Sequence, residues 1–269
     1  MKTALLWLIT VILTLSSVIY QRMTGPTHPI RGDITIDGQN ISYRLLTTHE
    51  TTENAEMEIH VPDQAITGEL KYRRFKSYDD WRTEPIPRRG DNLIISIPKQ
   101  PSAGKVMYEI TLIDGNGGKY PLTEQAVILR YKDPVPLFIL IPHVILMFTG
   151  MLLATRTGLE GIVKGNNLYR LNMITLVCLI IGGLIFGPLV QKFAFGAFWT
   201  GWPAGHDLTD NKTLFAVIFW VVSFLKAKSR GRGRHTWAII ASVVTLVIFI
   251  IPHSTLGSEL DYTQMENTP

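Results

Sequence analysis

The sequence predicts a mixed fold, an all-β sandwich joined to an α-helical transmembrane bundle of one N-terminal anchor plus four spans. Three observations predict it. Long apolar runs lie at Ala4 to Tyr20 and from Pro134 onward, with a polar, strand-like stretch between Thr24 and Lys132. Inside that stretch apolar residues alternate with period two and are punctuated by turn residues. Basic residues collect in alternate loops between the later apolar runs, the charge pattern of membrane-spanning helices. The boundaries that follow are 1–23 for an anchor or signal sequence, 24–133 for the sandwich, 134–256 for the four-helix bundle and 257–269 for a tail.

Met1-Lys2-Thr3 and the apolar run after it read as a signal peptide or a retained anchor. The run ends in Val18-Ile19-Tyr20, bulky where signal peptidase needs small residues, which favours the anchor. Either alternative exports Thr24 onward.

Strands are expected at Ile34 to Ile36, Ile41 to Leu46, Ala55 to Val61, Leu70 to Phe75, Leu93 to Ile97, Val106 to Ile113 and Val127 to Tyr131. Asp37-Gly38 and Asp114-Gly115-Asn116-Gly117-Gly118 supply turns that need positive φ. About seven short strands in about 100 residues predict a sandwich of immunoglobulin (Ig-like) or fibronectin type III kind. Tyr72, Trp81 and Tyr108 are expected in its core. Arg73, Arg74, Lys76, Arg82, Arg88 and Arg89 make a basic group read as solvated strand faces, with an acidic partner or lipid headgroups as the alternative.

Asp133-Pro134-Val135-Pro136 is a stiff linker. Apolar segments follow at Leu137 to Ala154, Leu171 to Val190, Leu214 to Leu225 and Trp237 to Ile251, the last two short for a span. Arg156, Lys164 and Arg170 mark the first loop as cytoplasmic, and Lys226, Lys228, Arg230, Arg232 and Arg234 mark the third. The second loop and the tail then lie outside. Glycines at 150, 183 and 187 permit close helix packing, while Pro142, Pro188 and Pro252 disturb helical hydrogen bonding.

The formal net charge of +4 comes mostly from Lys226 to Arg234, which fits a membrane face and gives no reason for a nucleic-acid partner. The single cysteine, Cys178, lies inside an apolar run, so an intrachain disulfide is excluded.

The candidate site is the loop Phe198 to Thr213, FWTGWPAGHDLTDNKT, with His143 and His253. His143 falls about 10 Å inside the second span at a rise of about 1.5 Å per residue. An ionisable group at that depth is a functional candidate in its own right. Imidazole and carboxylate are transition-metal ligands, so His143, His206, Asp207, Asp210 and His253 form a candidate metal set. His143 and His253 with Trp199 and Trp202 form a candidate site for haem or quinone. The alternatives are structural: Asp207 and Asp210 cap a helix, Gly257 closes the last one, the tryptophans anchor at the interface, and His143 bonds a carbonyl freed by proline.

Two further stretches carry resemblances. Tyr72-Arg73-Arg74, Trp81 and Ile97-Pro98-Lys99-Gln100-Pro101 resemble bacterial extracytoplasmic Ig-like domains. FWTGWPAGHDLTDNKT together with IPHSTLGSELDY resembles a family of bacterial membrane proteins to which no activity attaches. The loop charges, together with this resemblance to bacterial proteins, give the expectation of a cytoplasmic (inner) membrane protein with its β-domain and C terminus outside. No Walker loop, GxSxG elbow, HExxH or dinucleotide fingerprint occurs. The reading is therefore a binding or assembly component of the envelope, in contact with membrane lipids and an envelope protein partner. Its alternative is a membrane-embedded metal-, haem- or quinone-dependent redox or hydrolytic enzyme.

Overall fold

The computed structural model describes residues 2–229, 233–252, 257 and 259–265. The chain forms two compact units, one from Met1–Pro26 with Val135–Ser258 and one from Thr27–Pro134 with Glu259–Pro269.

The second unit holds β1 (Ile30–Ile36), β2 (Gln39–Leu45), β3 (Thr48–Glu50), β4 (Ala55–His60), β5 (Thr67–Arg74), β6 (Arg82–Pro85), β7 (Arg88–Arg89), β8 (Asn92–Ile97), β9 (Lys105–Ile113), β10 (Lys119–Pro121) and β11 (Val127–Lys132). They make a β1-β2 hairpin, a three-stranded sheet β4-β8-β7, and a six-stranded sheet β3-β11-β9-β5-β6 with β10 beside β9. Pairing is antiparallel except between β3 and β11. Each of the seven expected strands overlaps one of these. The four additional ones are two to four residues long, too short to show alternation.

Alternation decides what is buried. On β4, Ala55, Met57 and Ile59 turn inward while Glu56, Glu58 and His60 face out. One hydrophobic core draws on all three sheets, with Ile36, Ile59, Ile95, Tyr108, Leu129 and Tyr131 among its members. Each fully buried aliphatic side chain there contributes about 1.5–3 kcal/mol. The Tyr108 hydroxyl donates to the Leu46 carbonyl at 2.7 Å and that of Tyr131 to Ile97 at 3.1 Å, so neither polar tip is wasted. Burial pushes both phenols well above their usual range. Ile36 pairs with Gln39 across Asp37 (φ 50°) and Gly38 (φ 79°), the doubly positive turn that matches strand twist.

Tyr72 and Tyr108 are buried as expected, but Trp81 is not a core residue. It directly precedes β6, whose four residues are all exposed at the sheet edge, and so it lies on the surface, half-buried. Beyond the strands, Glu259–Met265 belongs to the same unit. Leu260 N–H donates to the Ala103 carbonyl and Tyr262 N–H to that of Lys76, both at 3.1 Å.

The first unit holds α1 (Lys2–Thr24), α2 (Leu137–Ile162), α3 (Leu168–Leu179), a π-helical segment Ile180–Phe186 leading into α4 (Gly187–Phe195), α5 (Leu208–Lys228) and α6 (Arg234–Ile250). Among the described residues, four helical runs are long and apolar enough to cross a membrane: Thr3–Thr24, Leu137–Ile162, Leu168–Phe195 and Leu208–Lys228. α6, at 17 residues, is shorter. Large apolar side chains such as Leu8, Ile12, Phe138, Phe215 and Val247 stay exposed on these helices, a surface suited to lipid chains. By length and composition this is a membrane protein.

Helix contacts depend on small residues and on paired polar groups. A side chain at Gly182 would strike Leu146 Cβ at 2.8 Å, and one at Gly183 would strike Thr213 Cγ2 at 2.5 Å, so the π segment lies tight against α2 and α5. Trp220 Nε1 donates to Thr245 Oγ1 at 2.7 Å and Ser223 Oγ to Asn172 Oδ1 at 2.5 Å, both fully inside.

Two expectations are corrected. Arg156 and Arg170 are not loop residues: they lie in α2 and α3, and Arg156 is 3 % exposed, its guanidinium 2.8 Å from Glu160 on the next turn and over the Trp7 ring. The pair neutralises itself, which lets the helix run on past a charge. Gly257 does not cap α6, which ends at Ile250 because Pro252 holds Ile251 in extended backbone.

Candidate functional site

The loop between α4 and α5 is organised by Asp210. This residue is in the first turn of α5 and 6 % exposed, and its Oδ2 accepts the N–H groups of Thr200 at 2.7 Å and Gly201 at 3.0 Å. Such a double bond to the backbone requires close approach. A side chain at Gly201 would meet Asp210 Cβ at 2.6 Å. Asp207 caps α5, accepting from Thr209 N–H at 2.8 Å through one oxygen and from the Thr200 hydroxyl at 3.1 Å through the other. Gln191 of α4 donates to that hydroxyl at 2.5 Å.

The aromatic residues close the loop. Trp199 Nε1 donates to the Trp202 carbonyl at 3.1 Å, and Trp202 N–H donates to Asn211 Oδ1 at 2.6 Å. The Trp202 ring is 67 % exposed and His206 is exposed as well. The loop therefore engages its carboxylates with its own N–H and hydroxyl groups and presents aromatic surface outward.

His143 is held differently. α2 continues through Pro142, and the imidazole reaches the π segment, where Nδ1 lies 2.9 Å from the Gly182 carbonyl. That carbonyl also takes the N–H of Gly187, so both its lone pairs are used. A carbonyl can only accept, so Nδ1 carries a proton, and in the neutral form of the ring the free lone pair is on Nε2. Nε2 is the atom on which a metal, haem iron or quinone oxygen would bear.

Lys212, expected in the loop, lies in α5 and is 6 % exposed. Its ammonium donates to the carbonyls of Ile251 at 3.1 Å and Pro252 at 3.2 Å, just past α6, where helix termini leave acceptors unmatched. Gln21 of α1 reaches the Ile251 carbonyl too, at 3.3 Å. A cavity of about 20 Å³ beside Lys212, Thr209, Thr213 and Met147 has room for about one water molecule. The available signal was Pro252, whose ring ends the helix and leaves those carbonyls in need of a donor.

The structure thus brings Asp207 and Asp210 together around Thr200, joins Trp199 to Trp202, and ties His143 to the π segment. His253 lies outside the described residues. Among the described residues, no three His, Cys, Asp or Glu side chains are grouped where they could hold a metal ion.

The other unit carries a surface cluster that joins Arg73, expected on a solvated strand face, to Trp81, expected in the core. Lys71 Nζ and the Arg73 guanidinium lie over the Trp81 ring, 4.6 Å and 4.9 Å from its centre. Tyr78, 72 % exposed, and Arg82 lie nearby in sequence. Arg74 instead grips Asp79 through two bonds of 2.7 Å. That bidentate contact, with burial opposing it, holds the Asp79 carboxyl below its ordinary range.

No family model matches this chain, and no curated protein matches it.

Proposed function

We propose that this protein is a binding or assembly component of a bacterial envelope. The β unit, an Ig/fibronectin-III-like sandwich held outside the cytoplasm, is its recognition module and the helical unit its anchor. The observation that carries this reading is the cationic and aromatic surface of Lys71, Arg73 and Trp81 beside an exposed sheet edge. Aromatic and arginine side chains are what protein interfaces concentrate. An edge strand also offers unpaired backbone groups. The carboxylates and amides of the α4–α5 loop, by contrast, are engaged with that loop's own groups.

The arrangement of the chain supports the topology. Strands β1–β11 precede α2, Glu259–Met265 follows α6, and both belong to one unit. Two parts of one folded unit share one side of a bilayer, which calls for an even number of crossings between them. α2, the run from α3 through α4, α5 and α6 provide four. At about 1.5 Å per residue α6 spans slightly less than the hydrocarbon core of about 30 Å, a mismatch that local thinning absorbs. The basic residues Lys164, Arg170, Lys226 and Lys228 support a β unit on the outside.

The test is site-specific photo-crosslinking in living cells from position 78, with position 58 on β4 as the control. A discrete envelope protein captured from position 78 alone supports the reading. Capture of nothing specific, in cells where the protein remains active, overturns it.

A second reading is favoured by one observation, the π segment facing His143. Such irregular turns recur at functional sites. On this reading the Nε2 atom of His143 binds a metal, haem or quinone, with Trp199 and Trp202 near the interface. Metal content, an absorption spectrum and quinone extraction on gently purified protein decide it, and absence of all three removes it.

A further inference from the structure

We infer that the β unit contains a peptide-recognition cleft, distinct from the Trp81 surface, and that the segment Glu259–Thr263 fills it as a tethered ligand. The cleft is built for a short irregular segment carrying a carboxylate and, three residues later, a tyrosine that opens the helical turn Tyr262–Met265. This inference rests on the recognition role proposed above and names the chemistry of the partner: an acidic, tyrosine-bearing segment that competes with the tether.

Four features make the cleft. Both oxygens of Glu259 are taken by ammonium groups, one by Lys76 and the other by Lys105 at 2.6 Å. Burial alone would raise the Glu259 carboxyl, but the two lysines outweigh it and hold the group below its ordinary range. Three residues on, Tyr262 is 3 % exposed beneath the Arg74 guanidinium, 4.7 Å from its ring centre, and its hydroxyl donates to Gln100 Oε1 at 3.0 Å. Gly104 leaves space beside it, since a side chain there would come within 2.4 Å of that hydroxyl and within 2.7 Å of the Pro101 carbonyl.

The fourth feature points to recognition. The carbonyls that receive the backbone of the segment belong to Ala103 and Lys76. Both residues have left-handed backbone, φ 63° and φ 52°, although each has a Cβ that disfavours it. Only four described residues other than glycine do so, and two of them hold this segment. Strained backbone concentrates at ligand clamps. Without the segment, Arg74, Lys76 and Lys105 would flank an open slot with both carbonyls unmet.

The test uses the full-length protein in nanodiscs and a fluorescein-labelled synthetic peptide of residues 257–265, followed by anisotropy. In the wild type the tether occupies the cleft at high effective concentration, so emptying it is expected to tighten peptide binding by about tenfold or more. Glu259→Ala with Tyr262→Ala empties it in one variant, and deletion of residues 257–269 does so in another. A peptide with alanine in place of the glutamate and tyrosine is expected not to bind. Equal binding to wild-type and emptied protein, or equal binding of the alanine peptide, overturns the inference. So does loss of folding in both emptied proteins, which would make the segment a permanent part of the core. Because the probe is the chain's own segment and the protein is purified, the result is independent of whether cells yield a partner crosslinked at position 78.

Discussion

Replacing Asp210 by alanine removes the acceptor shared by two backbone donors, that of Gly201 buried and that of Thr200 half-buried. Thr200 N–H at 2.7 Å and Gly201 N–H at 3.0 Å would both lose their partner in a loop where Asp210 is 6 % exposed. An unsatisfied buried donor costs about 1–3 kcal/mol, and relief from burying the carboxylate returns part of that, so a local loss of about 2–4 kcal/mol is expected. Asparagine keeps an oxygen in place and should cost less than about 1.5 kcal/mol. Limited trypsinolysis at Lys212 reads this opening, because the Lys212 side chain is buried in the closed state. Where cleavage tracks the open population, 2–4 kcal/mol becomes an acceleration of about 30-fold to 1,000-fold for alanine and at most about tenfold for asparagine. Cleavage of Asp210→Ala within fivefold of wild type would refute the argument that this carboxylate organises the loop. Asparagine as damaging as alanine would show that its charge matters more than its oxygen.

Three other outcomes follow from the packing and charges. Gly183→Ala places a methyl 2.5 Å from Thr213 Cγ2 and should destabilise the helical unit by about 1–3 kcal/mol, whereas Gly150→Ala, with 3.1 Å to Leu179 Cδ2, should be milder; detergent melts rank the two. Glu160→Gln leaves the buried Arg156 charge unpaired and should cost about 3–5 kcal/mol, and the double change with Arg156→Gln should be less harmful than the sum of the single ones in a mutant cycle. Arg74 holds the folded Asp79 carboxyl below its unfolded value, so this contact contributes stability above the unfolded pKa of about 3.9 and loses it as pH falls through the folded value. Melting of the β unit between pH 5 and 2 should therefore show a shallower decline in Asp79→Asn than in wild type, and an unchanged slope would refute the assignment.

Much of this architecture is legible along the chain because it rests on local periodicity. Alternation at Ala55 to Val61 and Val106 to Ile113 reports which side of a strand meets the core, and Asp37-Gly38 reports a turn, since neither depends on distant residues. Length and apolarity likewise mark the helices that can cross a membrane, and Asp207 before Leu208 marks where α5 starts. The binding surfaces are another matter. Trp81 has the composition of a core residue, and only its place beside an edge strand leaves it under Lys71 and Arg73.

What the sequence by itself determined is the division into strand-forming and bilayer-length apolar stretches, because desolvation is a property of each side chain and its near neighbours. Which polar groups far apart along the chain meet was decided by tertiary structure alone. His143 finds a carbonyl 39 residues away, and Glu259 finds Lys105 across 154 residues. Such pairs form only after packing has fixed both partners, and no pattern within a single element encodes them.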